Sequence, residues 1–290
     1  MVKFGWLSPV AGHQGSGFQP IVMYQQEHIL PVALPYFDSV WIADHFYGFD
    51  AAKTEGFLEG WVTLTWLAAT FPNVQLCHHV LGHGYRNPAL TAKMASTLQV
   101  LSGGRFMLGI GAGWREDEYR SYGYEFPSTA TRLRQLEEVV QICRLMWTEP
   151  HPTFQGRYFG IDDAAATPRP DVAPLVCIGS SGEQIGLPIV GRQADVWNGR
   201  YRDDVDWQRK RGIVDSAAIA AGRDPAAVES CVTVAGDLPD SDAASEQWVE
   251  RLGHLIELGV SSFVMDFGHP LAAEPAVRFA EQVIAPLRAG

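Results

Sequence analysis

Three short stretches of this chain carry residues that could do chemistry. Asp44 and His45 stand side by side after an apolar run. An imidazole exchanges protons near neutral pH, and an adjacent carboxylate can orient or tune it. A histidine that only hydrogen-bonds at a strand end would read the same way. The second stretch, LSGGRFMLGIGAGWREDEY from Leu101 to Tyr119, runs an apolar strand into Gly109, Gly111 and Gly113 and then Trp114. Such spacing invites a dinucleotide reading, but the G-x-G-x-x-G fingerprint is incomplete and falls too late in the chain. Two readings remain: strand-end glycines that ease closure of a sheet, or backbone left bare so that a flat ring can lie on it. The third stretch is Gly179-Ser180-Ser181-Gly182-Glu183. Inward-pointing amides followed by a helix N-terminus make an anion site. The same residues also suit a plain helix cap, with Ser181 as cap and Glu183 in the first turn.

Other chemistries fit less well. Cys77, His78, His79 and His83 are metal-ligand types. Alternation along a strand sends His78 and His79 to opposite faces, and no H-E-x-x-H helix completes a set, so no metal is expected. The nucleophile elbow G-x-S-x-G is absent, since GSSG is one residue short.

Composition narrows the class. The 290 residues are 47% hydrophobic and 19% charged, enough for a sizeable core. A net charge of −11 with no Lys/Arg run argues against nucleic acid and anionic membranes as partners. The four cysteines, at 77, 143, 177 and 231, form no C-x-x-C pair and lie in apolar surroundings. Without a disulfide framework, a signal-like start or an apolar run of the ~18 residues needed to span a bilayer, a cytoplasmic protein is expected.

The elements that must position these residues alternate from end to end. Strands are expected at Val2–Leu7, Ser39–Ala43, Gln75–Val80, Phe106–Ile110, Leu175–Ile178, Val196–Asn198, Cys231–Val234 and Ser262–Asp266. Amphipathic helices are expected at Pro20–Ala33, Gly60–Phe71, Pro88–Leu101, Ala130–Trp147, Glu183–Gly191, Asp203–Ala221, Ala243–Leu258 and Glu274–Leu287. The strands are nearly continuous in apolar residues, as parallel strands covered on both sides are. Eight such units in roughly 250–290 residues fit an α/β fold of the (β/α)8 TIM barrel type better than a doubly wound sheet. Insertions interrupt it after strand four (Arg115–Thr129) and before strand five (Thr148–Ala173, with a hairpin-like TFQGRYFGI). No linker or repeat appears, so residues 1–290 are expected to form one domain. In a barrel the site lies at the C-terminal strand ends, which is where all three stretches fall.

The segments FDSVWIADHF, GYRNPALTAKMASTLQVLSGGRFMLGIGAGWREDEYRSYGYEFP, RLRQLEEVVQICRLMWTE and CIGSSGE…ADVWN together resemble the bacterial luciferase-like monooxygenase superfamily, most closely its coenzyme F-420-dependent oxidoreductases. The resemblance covers most of the chain and thins after about Arg200. It implies a barrel with insertions that binds a deazaflavin, 8-hydroxy-5-deazaflavin, or alternatively FMN. Carried over by position, Asp44, His78, His79 and Val80 would contact the ring, with a non-prolyl cis peptide near His79–Val80 backing one face. Gly111, Ala112 and Gly113 would line the next loop, with Asp117 near the ring edge. Gly179, Ser180, Ser181, Gly182 and Glu183 would hold phosphate.

The sequence departs from the family at Cys77, His78 and His79, where small residues are common. It departs again at Gln99, where an acidic residue is common. These changes would narrow the pocket or add an acid or base. Pro188 also falls inside the helix expected after the phosphate loop, leaving its start open.

The activity implied is hydride transfer between the deazaflavin and a small organic substrate, with ring and substrate stacked about 3–3.5 Å apart. His45 is the first choice for the proton, oriented by Asp44; His79 is second and His13 third. Trp6, Trp61, Trp114 and Phe46 are candidate aromatic walls, and equally candidates for core. Arg200 and Arg202 suit either an acidic coenzyme tail or exposed ion pairs. The rivals are a reduced-flavin monooxygenase using oxygen and a non-catalytic ligand-binding barrel. A homodimer through barrel helices is expected, using the apolar faces of Val139–Trp147 and Ala92–Leu101.

Overall fold

A computed structural model describes residues 1–12, 21–49, 53 and 55–289. Eight parallel strands carry the architecture: β1 (Lys3–Leu7), β2 (Ser39–Ile42), β3 (Gln75–His78), β4 (Phe106–Gly111), β5 (Leu175–Gly179), β6 (Val196–Gly199), β7 (Glu229–Ala235) and β8 (Ser262–Asp266). They follow one another in the order β5-β6-β7-β8-β1-β2-β3-β4, and β4 also pairs with β5, which closes the sheet. This is a (β/α)8 barrel. All four residues of β2 and all six of β4 are buried, the reason these strands lack alternation.

By contact density the chain falls into two compact units. The first comprises Met1–Leu76, Gly199–Asp204 and Glu229–Gly290. Within it, Lys3 pairs with Ser262, Gly5 with Ser39 and Cys231 with Ser262. Gly5 is required by its neighbour: a Cβ there would sit 2.2 Å from the Trp41 indole nitrogen, which donates to Ser39 Oγ at 2.7 Å. Phe4 stacks on Phe263, while Trp6, Phe37, Phe267, Phe279 and Trp248 form an aromatic cluster at ring separations of 5.0–6.2 Å.

The second unit comprises Cys77–Asn198 and Val205–Val228. Met107 pairs with Leu175 and Cys177 with Val196. Helix α1 (Gly60–Thr70) belongs to the first unit; α2 (Pro88–Leu101), α3 (Glu116–Ser121), α4 (Thr129–Thr148) and α5 (Gly186–Gln193) belong to the second. Asn87 caps α2 by accepting from Ala89 N and Leu90 N, and Pro88 opens it where no amide is needed. Ser128 caps α4. The expected hairpin pairs Phe154–Gln155 with Gly160–Ile161. Its tip is pinned because the Glu138 carboxylate accepts from the amides of Arg157, Tyr158 and Phe159 at 2.8–2.9 Å.

Two expectations change. The helix expected at Glu183–Gly191 starts at Gly186, with Ile185 rather than Ser181 in the cap position and no side-chain cap bond. Ser180 Oγ occupies the space beside Gly186, where a Cβ would be 2.1 Å away. Gln99 is no acid/base substitute at the strand ends: it clamps the opposite end of β4, accepting from Phe106 N at 2.8 Å and donating to Val172 O at 3.0 Å. The apolar faces of α2 and α4 pack within the chain: Ala92, Ala95, Leu98, Val139, Ile142, Cys143 and Met146 are buried, and Trp147 Nε1 donates to Ala92 O. Those residues serve the fold, while Val100 and Leu101 of α2 stay exposed.

Candidate functional site

The second unit holds all but Asp44 of the residues expected to meet a ring and a phosphate. The His79–Val80 peptide is cis. It follows β3, and the Val80 side chain lies against the ends of β4 and β5. A Cβ on Gly111 would lie 2.9 Å from Val80 Cγ2, and a Cβ on Gly179 would lie 3.0 Å from the same methyl. Val80 thus fills the notch that these two glycines leave. Gly109 admits a backbone instead, since its Cβ would stand 1.9 Å from His78 O. Gly113, at φ +73°, makes room for the Tyr119 hydroxyl at 2.2 Å.

His78 and His79 part company as alternation requires. His78 is fully buried with its ring edge-on to Phe106, 5.9 Å between centroids. The expectation that it faces a cofactor gives way to a core position. His79 and Val80 are half-buried. Trp114 is 66% exposed. Asp117 is exposed, with its carboxylate 3.6 Å from Arg115 Nε.

After β5, Ser180 is held on both sides. Its amide donates to Asn198 O, and its carbonyl accepts from Trp197 Nε1 at 2.9 Å. Trp197 stacks on Trp207 at 4.6 Å and 7°. Ser181 and Gly182 are exposed, and nothing lies within 4 Å of where a Gly182 Cβ would be. Glu183 pairs with Arg209, which also pairs with buried Asp206. The loop is therefore fixed at its base and open at its tip, which fits an anion bound by main-chain amides.

The cation beside this loop is Arg209, which the sequence does not single out; Arg200 and Arg202 take the exposed role that the sequence left equally open. Arg200 is exposed, and Arg202 pairs with Asp203 at 3.1 Å. The i, i+3 spacing of Asp206 and Arg209 on one helix face was the available signal.

The excursion after β4 is packed rather than loose. Tyr119 lies 4.2 Å from Tyr85 and 5.1 Å from Phe126, ring to ring. The Tyr85 hydroxyl donates to Glu118, a fully buried carboxylate that also lies 3.6 Å from Arg115 Nη1. His83, 5% exposed, is pushed down to a pKa of about 4, chiefly by burial.

The first unit holds two of the proton-exchange candidates, Asp44 and His45. Asp44 is buried at 3% exposure, just beyond β2. His45 is half-buried, with Phe49 and Phe57 edge-on to its ring at 5.3 and 5.7 Å. Trp6 is 1% exposed inside the aromatic cluster, and Trp61 is 3% exposed in the first turn of α1; both hold core positions. His13 lies outside the described residues.

Comparisons with known proteins agree with the barrel fold. Residues 4–274 match the family model described as luciferase-like monooxygenase. By sequence, 160 residues are 36% identical to an F420-dependent glucose-6-phosphate dehydrogenase of Kineococcus radiotolerans, covering 54% of this chain and 46% of that enzyme. A pyrimidine monooxygenase RutA of Allorhizobium ampelinum is 30% identical over 206 residues, 69% of this chain and 55% of that one. The chain thus spans about half the length of these relatives. An F420-dependent secondary alcohol dehydrogenase, solved with an F420-acetone adduct, superposes with a TM-score of 0.82 at 20% identity over 98% of both chains. Among the described residues, no helix is long and apolar enough to cross a membrane.

Proposed function

Because the chain belongs to the luciferase-like monooxygenase family, we propose that it is an oxidoreductase binding a deazaflavin, coenzyme F-420, for hydride transfer to or from a small organic substrate. The observation that carries this reading is the Val80 wall. A side chain set into the glycine notches of β4 and β5 makes a continuous apolar backing at the strand ends. A flat ring laid against it is shielded on one face. The fixed-base, open-tip loop of Ser180 to Gly182 suits the phosphate that such a cofactor bears. Relatives described as F420-dependent support the deazaflavin choice.

When bound, the cofactor would supply a two-electron hydride centre. Val80 and Ala112 would back it, and Ser181 and Gly182 would bind its phosphate through main-chain amides. Trp114 would border the substrate. His45 would donate or accept the proton at its ring, with Asp44 holding it and His79 as the alternative. The acidic charge and the four buried cysteines fit a reducing, cytoplasmic setting.

A reduced-FMN monooxygenase is the second reading, favoured by the match to the pyrimidine monooxygenase. Titration with the deazaflavin and with FMN, read by fluorescence quenching, separates the two. Deazaflavin binding tighter than FMN binding by at least tenfold is expected, and the reverse order selects the monooxygenase. His45→Ala is expected to lower hydride turnover at least a hundredfold with binding retained. Unchanged turnover removes His45 from the proton step.

A further inference from the structure

Arg132 opens α4 twenty residues beyond the Gly111–Trp114 loop, yet it is 6% exposed and reaches back to that loop. Its Nε donates to Ala112 O at 3.2 Å. Nη1 donates to Pro127 O and Nη2 to Thr129 Oγ1 at 3.3 Å. The guanidinium carbon lies 3.7 Å from the centre of the Phe126 ring. Each of the three guanidinium nitrogens donates one hydrogen bond, and one face is covered by an aromatic ring. The three hydrogen-bond acceptors are two main-chain carbonyls and a hydroxyl.

Packing alone gives no reason for a buried guanidinium here. An apolar side chain would cover Phe126 without the cost of desolvating a charge. What an apolar side chain cannot do is fix the direction of the Ala112 carbonyl. A trans peptide is planar, with its C=O and N–H pointing to opposite sides. Drawing Ala112 O toward α4 turns the next amide, Gly113 N–H, away from α4. The Tyr119 hydroxyl takes the space that a Cβ on Gly113 would need. Tyr119 is in turn wedged between Tyr85 and Phe126, the ring that Arg132 covers. Among the described residues, no acceptor is bonded to Gly113 N–H.

We infer that Arg132 is a positioning residue: through Ala112 O it aims the Gly113 amide as a fixed donor toward a carbonyl on the edge of the bound ring. This rests on the reading of the Gly111–Trp114 loop as part of the cofactor floor. A lysine cannot substitute, because a single ammonium on a flexible stem cannot hold two divergent carbonyls and lie flat on Phe126.

The test uses Arg132→Met, which keeps the cover on Phe126, and Arg132→Lys, which keeps the charge. Two measurements are made on each. The first is amide hydrogen exchange of the cofactor-free protein over residues 111–114, against residues 179–183 as internal control. At least tenfold faster exchange in the first segment alone is expected. The second is the dissociation constant for the deazaflavin and for FMN by fluorescence quenching, with the melting temperature recorded alongside. At least a tenfold rise is expected in both variants. A folded variant with unchanged exchange and unchanged affinity overturns the inference, because a merely structural arginine would move only the melting temperature. Should Arg132→Met fail to fold, Arg132→Lys decides by the same criteria. Wild-type protein that binds neither cofactor overturns the proposed function instead, and the exchange measurement still decides whether Arg132 holds the loop.

Discussion

The two glycine-bearing loops at the ends of β4 and β5 look alike in sequence and behave oppositely in the structure. On β4 and just past it, each glycine yields its space to another part of the chain: Gly109 to His78 O, Gly111 to Val80, Gly113 to the Tyr119 hydroxyl. At the end of β5, Gly179 does the same for Val80, but Gly182, beyond it, faces open space. One loop is a packed joint and the other an open cradle. A glycine therefore has no meaning until its neighbour is known. Where the neighbour is protein, the residue belongs to stability; where it is solvent, it is free for a ligand.

The largest effect is expected at Gly109. Gly109→Ala puts a Cβ against backbone, which cannot rotate away, so a loss of ~3 kcal/mol or more is expected from the urea midpoint. A wild-type midpoint would mean the joint is looser than described.

Acid should loosen the packed side next. His83 sits just beyond β3 with a folded pKa of about 4, against 6.5 when exposed. Between these values the unfolded chain holds a proton that the folded chain lacks. Stability is therefore full above pH 6.5 and falls as pH drops toward 4, by up to ~3 kcal/mol for this group. His83→Gln should flatten that part of a stability-versus-pH curve. An unaltered curve would assign the acid loss to other groups.

Gly113→Ala meets both a left-handed backbone and the Tyr119 hydroxyl, for a cost of ~1–3 kcal/mol. Tyr119→Phe in the same chain should return part of it. Strict additivity in this double-mutant cycle would show that the hydroxyl is not what the glycine accommodates.

Gly182→Ala should be the mildest for the fold, within ~0.5 kcal/mol by thermal unfolding, since its Cβ meets nothing. Its effect belongs to the cradle: cofactor affinity should weaken several-fold. Unchanged affinity would take the loop out of phosphate binding.

How much of this was legible from residues alone varies by element. The eight strands were, because buried parallel strands write themselves as short apolar runs. The helix starting at Pro88 was legible too, since Asn87 and Pro88 signal a start locally. The helix after β5 was not: its start waits on where Ser180 Oγ lies, three residues past the expected position. Alternation put His78 and His79 on opposite faces, but could not say which face was which until Phe106 was seen against His78. Arg132 stood within a recognised helix, yet its role depends on a carbonyl twenty residues earlier.

The sequence by itself determined the barrel, its strand positions and the family, because these depend on hydrophobic runs, local caps and contiguous motifs. Only the tertiary structure decided what the glycines are for. Val80, Gly111 and Gly179 lie on three different strand ends and meet only when β4 pairs with its neighbours. Excluded volume between such distant residues is set by three-dimensional packing, and no local pattern encodes it.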